Sequence, residues 1–241
     1  MNIATLPAKE LKNRLDALIL AASKDITRPI LNTVKLTANG KLTLVAVDGF
    51  RLHLTEYPVK CAWQGTLLID AKSLKAALPK APKKADVISL DLGESFTVNG
   101  TAVPTGKKDW QYPDYTAIVP KYSAVKVKVS AVELQRIAKM QYAFCRDNDN
   151  KTRLTFHKDG RIIMSSRDPE TGDVESTLTC TVIDWTAEDD ALPVAVNNKY
   201  LREALDNETG DVEIEALHPA RPISFTSPTM YRLIMPMNLE R

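Results

Sequence analysis

Cysteine is scarce: Cys61, Cys145 and Cys180 are an odd number at wide spacings in 241 residues. They fit neither a disulfide framework nor a zinc site of the CxxC kind, and read as reduced thiols. Long hydrophobic runs are missing as well. No apolar stretch approaches the roughly 20 residues that cross a bilayer, and 26% of residues are charged, the balance of a soluble globular chain. The start, MNIATLPAKELK, lacks the basic and apolar regions of a signal peptide, so the expected compartment is the cytoplasm. Bulk basicity is absent too, with a net charge of +2. Any contact with nucleic acid therefore has to come from uneven placement of charge. Acidic residues gather around Asp147–Asp149 and Glu188–Asp190, and lysines in KKADV, GKKDW and VKVKV.

The signatures of catalysis are also lacking. His53, His157 and His218 are isolated in sequence, two of them in strand-like contexts that suit structural histidines. No GxSxG elbow, Walker loop or HExxH is present. RDNDNK alternates Asp147 and Asp149 like the start of a calcium loop, but Lys151 stands where an acceptor is needed, and neither the glycine nor the terminal glutamate follows. It reads as a solvated turn. No metal, nucleotide or other cofactor is required, and the chain reads as a non-enzyme. Carboxylates from separate strands can still meet in space, which leaves an ordinary α+β enzyme as the contrasting class.

What the chain does contain is a repeated phrase. IDAKSLKAAL (Ile69 to Leu78) returns as VNNKYLREAL (Val196 to Leu205), with Lys, Leu, Ala and Leu at the same four places. Around it the order of elements is written twice. Each half begins with a helical pattern: Leu11, Leu15, Leu18 and Ala22 form one stripe, Leu134, Ile137, Ala138 and Gln141 the other. Ser130 followed by Glu133 has the form of a capping box. Strands come next, turning at Asn39-Gly40 and Asp159-Gly160, then the echoed helix and further strand pairs. This predicts an α+β fold of two modules, each with two helices packed on one face of antiparallel β-sheet. The turn-rich WQYPDYTAIVPK places the join between Pro120 and Val129, with modules over 1–122 and 123–241.

AVDGFRL (Ala46 to Leu52), preceded by TRPILNTVKL and followed by YPDYTAIVP and the tail MPMNL, resembles the bacterial DNA polymerase III beta subunit, the sliding clamp family. The similarity is to the second and third of that family's three modules. Family phrases are ATDGHRL and a terminal MPMRL. Val47, Phe50 and Asn238 depart from them, and Glu240 and Arg241 extend beyond Leu239.

The resemblance implies a processivity factor that encloses duplex DNA without reading its sequence and tethers a polymerase. Helices line the hole in such rings. The DNA-facing residues would be Lys9, Lys12, Lys72, Lys75, Arg136, Lys139, Lys199 and Arg202, joined by Lys24 and Arg28 in the loop after the first helix. Loose contacts from cations to phosphates hold DNA without sticking points; the competing reading is solubilising charge.

The resemblance also implies a docking pocket for short hydrophobic peptides of polymerases and clamp loaders. Its walls would be Leu31, Gly49, Phe50, Arg51 and Leu52, then Pro120, then Asn197, Tyr200, Pro222, Met235, Pro236, Met237 and Leu239. Methionines adapt to an apolar anchor, and Arg51 and Asn197 can bond a peptide backbone. For Leu31 and Leu52 the competing reading is core. Two modules per chain make a homotrimer the simple closed ring. The rival is a monomer that binds replication-protein peptides without encircling DNA, as a decoy or regulator. A piece of a longer clamp would look similar, and the Met1 start weighs against that.

Overall fold

The computed structural model describes residues 3–59, 62–93, 95–147, 149–168, 170 and 172–239. Cys61, Glu240 and Arg241 lie outside the described residues. The chain divides into two compact units, 1–114 and 115–241. Residues 115–122, which the sequence reading groups with the first module, cluster with the second unit. No helix among the described residues is long and apolar enough to cross a membrane.

Unit 1 runs β1 (Ile3–Pro7), α1 (Ala8–Ile19), β2 (Thr33–Ala38), β3 (Leu42–Val47), β4 (Arg51–Tyr57), β5 (Gly65–Asp70), α2 (Ala71–Ala77), β6 (Val87–Asp91), β7 (Phe96–Val98) and β8 (Thr101–Val103). Its strands form two antiparallel groups, ordered β1-β6-β7-β8 and β4-β3-β2-β5. Unit 2 repeats the plan with β9 (Val125–Ser130), α3 (Ala131–Cys145), β10 (Lys151–His157), β11 (Arg161–Asp168), β12 (Gly172–Thr179), β13 (Thr181–Trp185), β14 (Ala191–Asn197), α4 (Asn198–Ala204), β15 (Asp211–Ala216), β16 (Ile223–Thr226) and β17 (Tyr231–Ile234). Its groups are β12-β11-β10-β14 and β13-β9-β15-β16-β17.

Each unit opens on a strand, where the sequence reading placed the helix first. The reason is plain in VKVKVS. Val125, Val127 and Val129 alternate into the core, while Lys126 pairs with Glu213 and Glu215 at 2.9 and 3.0 Å. Cross-strand pairing of β9 with β15 thus gives Lys126 acidic partners on the facing strand.

The helical stripes pack as their spacing requires. Leu11, Leu15 and Leu18 are buried on α1; Leu134, Ile137, Ala138 and Gln141 are buried on α3. Gln141 is polar, and it survives in the core because its amide donates to the Met164 carbonyl at 3.0 Å and to Ser176 at 3.2 Å. Ser130 caps α3 by accepting from the Glu133 N–H. Within each unit the two helices also touch one another.

One buried charge was not legible in the sequence. Arg232 on β17 is 1% exposed and pairs with Glu208, with Ser227 accepting a further bond at 3.3 Å. Burial pulls the guanidinium below its ordinary pKa, and Glu208 opposes that shift. Removing one partner strands the other charge in the core. Glu208→Gln should therefore lower the unfolding free energy by about 3 kcal/mol, read from urea denaturation; a midpoint unchanged from wild type would show that the pair is dispensable.

Candidate functional site

AVDGFRL forms the turn between β3 and β4, and its chemistry explains its conformation. The Asp48 carboxylate accepts from the backbone N–H of Phe50 at 2.9 Å and of Arg51 at 3.1 Å. Gly49 sits at φ +96°, a conformation that costs glycine little and other residues much. Arg51 is buried: its Nε donates to Asp48 at 2.9 Å, and its guanidinium also donates to the Leu20 carbonyl at the C-terminal end of α1. A cation there satisfies an orphan carbonyl and complements the helix dipole. Two residues on, His53 is fully buried with Nδ1 2.7 Å from the Ala17 carbonyl. The motif is thus a latch between sheet and helix, and it leaves Phe50 61% exposed at its tip.

Of the other docking candidates in unit 1, Leu31 and Leu52 are core positions, 7% and 0% exposed. Leu31 still borders a shallow depression of 540 Å³ with Arg28, Pro29, Ile30 and Trp110. The loop leading there is locally ordered. Asp25 accepts from the Thr27 N–H and hydroxyl at 2.9 and 2.7 Å, bonds that hold its carboxyl below the usual range. Lys24, Ile26 and Arg28 are consequently displayed to solvent, and Arg28 approaches Gly49.

In unit 2, Pro120, Tyr200, Pro222, Met235, Pro236, Met237 and Leu239 are all half-buried. Met237 is tied by its N–H to the Ala195 carbonyl at 2.8 Å, which extends the edge of β14. Leu239 borders a groove of 470 Å³ with Lys151, Arg153, Arg167 and Glu175. Asn197 is the N-cap of α4, its side-chain oxygen accepting from Lys199 and Tyr200. Asp70 caps α2 in the same way, accepting from Ser73 at 2.7 Å. The Asp/Asn difference between the echoed phrases is therefore a change between two good caps.

The candidate DNA-facing cations fall into two groups. Lys9, Lys24, Arg28, Lys72, Lys75, Arg136, Lys139 and Lys199 are exposed. Lys12 pairs with Asp16, and Arg202 is half-buried over the Tyr142 ring, 4.2 Å from its centroid. Arg136 pairs with Glu133 at 3.1 Å on a wet face, an interaction worth little to stability. Among the described residues no group of three or more His, Cys, Asp or Glu side chains is arranged to hold a metal ion.

Residues 5–114 match the family described as DNA polymerase III beta subunit, central domain. The chain is similar to DNA polymerase III beta subunits. The beta sliding clamp of Treponema pallidum is 24% identical over 98% of this chain and 65% of its own length. That of Bacillus subtilis is 25% identical over 96% of this chain and 63% of its own. The chain thus spans less than two thirds of these relatives. The DNA polymerase III beta subunit of Thermotoga maritima superimposes with a TM-score of 0.83 at 21% identity, covering 99% of this chain and 66% of that one. The sliding clamp of Bacillus subtilis gives 0.83 at 23% identity, covering 98% and 64%. These superpositions establish the α+β clamp fold.

Both polar docking candidates carry a structural duty that a surface role would not impose. Arg51→Ala should lower the unfolding free energy by about 2–3 kcal/mol, as for bonds to a charged group. Asn197→Ala should lower it by about 1 kcal/mol, as for a lost cap. Urea unfolding checks both, and unchanged midpoints would leave the latch and cap without energetic weight.

Proposed function

We propose that this chain is a DNA sliding clamp and polymerase processivity factor, with no chemistry of its own. It encircles duplex DNA as a ring of three two-module chains and docks short hydrophobic peptides of polymerases and clamp loaders. The observation that carries the reading is the clamp fold along 99% of the chain, joined to the AVDGFRL and MPMNL phrases. Family rings contain six modules, so a chain of two closes with three copies related head to tail. Exposed cations on all four helices supply sequence-independent attraction to phosphates, with Lys72 and Lys199 at matching places of the echoed helices.

Two sets of residues are assigned to docking, one in each module: the exposed Phe50 at the latch tip with its neighbours, and the half-buried Met235 to Leu239 tail with Tyr200 and Pro222. Phenylalanine in place of the family's histidine, and Asn238 in place of its arginine, make the docking surface more apolar and less cationic. Its preferred peptide differs accordingly. The rival reading is a monomer that binds such peptides without encircling DNA.

Solution mass decides between them. Three chains, with salt-resistant retention on circular DNA and loss from linear DNA, is the expected result; a persistent monomer across concentrations assigns the decoy role. Lys72→Gln with Lys199→Gln should reduce the salt dependence of DNA association by about two phosphate contacts, and an unchanged slope would remove these lysines from the DNA face. A fluorescent clamp-binding peptide should bind and be weakened by Met237→Ala. Equal affinity in the variant would remove the tail from the docking surface.

A further inference from the structure

The lysines of GKKDW take no part in the roles above, and they border an aromatic groove within unit 1. Segment 104–110 runs along β5, where the Asp70 N–H donates to the Pro104 carbonyl at 2.9 Å and the Gly106 N–H to Leu68 at 2.7 Å. It then turns at Lys107–Trp110, closed by the Trp110 N–H to the Lys107 carbonyl at 3.1 Å. Between this turn and the outer face of β2 and β5 lies a groove of 520 Å³. That is within the range of small-ligand sites, about 300–1,000 Å³.

Two of the chain's three tryptophans line it, each seated over a glycine. A Cβ on Gly65 would stand 2.7 Å from the Trp63 ring, and one on Gly106 would stand 2.9 Å from the Trp110 ring. Any side chain at either position would dislodge the indole above it. Both rings are half-buried, so each is fixed from below and still presents surface to the groove. Tyr112 adds a third ring, its hydroxyl directed to the Val45 carbonyl at 3.5 Å, with the Lys35 ammonium 5.8 Å from its centroid. Lys35, Lys107 and Lys108 all line the groove, and no carboxylate does among its described residues.

Fixed aromatic faces combined with the exposed ammonium groups of Lys107 and Lys108 suit a ligand that is flat at one end and anionic at the other. Bases stack on aromatic side chains whatever their identity, and lysines follow the phosphates. An aliphatic peptide would gain nothing from the lysines, and an acidic one nothing from the stacked geometry. We propose that this groove binds a nucleotide with an unpaired base, the base against Trp63 or Trp110 and the phosphate toward Lys107 and Lys108. The ligand is either a free nucleotide or a residue of a single strand. The site lies wholly in unit 1 and does not depend on ring assembly.

The test is fluorescence anisotropy with a labelled oligothymidylate of about ten nucleotides, a linear single strand too short to be retained topologically. The full chain should bind it with an affinity that falls as salt rises. Trp63→Ala, and separately Lys107→Gln with Lys108→Gln, should each weaken binding about tenfold. The lysine pair is exposed, so that variant keeps the fold if the tryptophan variant does not. Lys72→Gln with Lys199→Gln should leave this binding unchanged while altering duplex association, which separates failure here from failure of the clamp reading. Displacement by thymidine monophosphate identifies the free nucleotide as ligand; binding of the oligomer without such displacement identifies the strand. Absence of binding by either, wild-type affinity in both groove variants, or equal displacement by polyglutamate would overturn the proposal.

Discussion

Each module depends on burying the apolar stripe of its long helix against antiparallel sheet. Leu11, Leu15 and Leu18 in one unit, and Leu134, Ile137 and Ala138 in the other, reach almost no solvent. Such a leucine contributes about 1.5–3 kcal/mol by leaving water, so the stripe fixes helix orientation more firmly than any surface pair. Once that face is committed, the opposite face is wet by necessity. The exposed lysines and arginines on α1 to α4 are thus consequences of packing before they are anything else. Their recurrence on helices that pair within each unit is what makes an electrostatic role economical.

The AVDGFRL turn shows how one motif carries two demands. Asp48 organises the turn, Arg51 and His53 bind the carbonyls at the end of α1, and Leu52 enters the core. These contacts hold helix and sheet in register. Phe50 projects from a support that every neighbour helps to hold rigid. A rigidly presented apolar residue loses little entropy when another surface covers it.

Much of this plan can be read along the chain because it is periodic. The repeated IDAKSLKAAL and VNNKYLREAL phrases, the helical stripes and the Asn39-Gly40 and Asp159-Gly160 turns are local signals, and the elements stand where those signals lie. β1 and β9 were harder to see. IATLP is short, and the lysines of VKVKVS looked like a charge cluster until their partners Glu213 and Glu215, more than 80 positions away, came into register. The candidate site was legible by motif but not by environment. Arg51 reads as a hydrogen-bond donor to a ligand, yet its guanidinium is committed to Asp48 and Leu20, and Asn197 reads the same way while capping α4.

The sequence alone determined the duplication, the α+β class, the two helices per module and the likeness to a clamp family, because period and phrase are properties of neighbouring residues. Tertiary structure decided what each side chain is for. It put Leu31 and Leu52 inside and Phe50 outside, buried Arg232 beside Glu208, and set Trp63 and Trp110 over glycines in a groove with three lysines. Burial and charge pairing are sums over residues distant in the chain, so no stretch of sequence contains them until the sheet has folded.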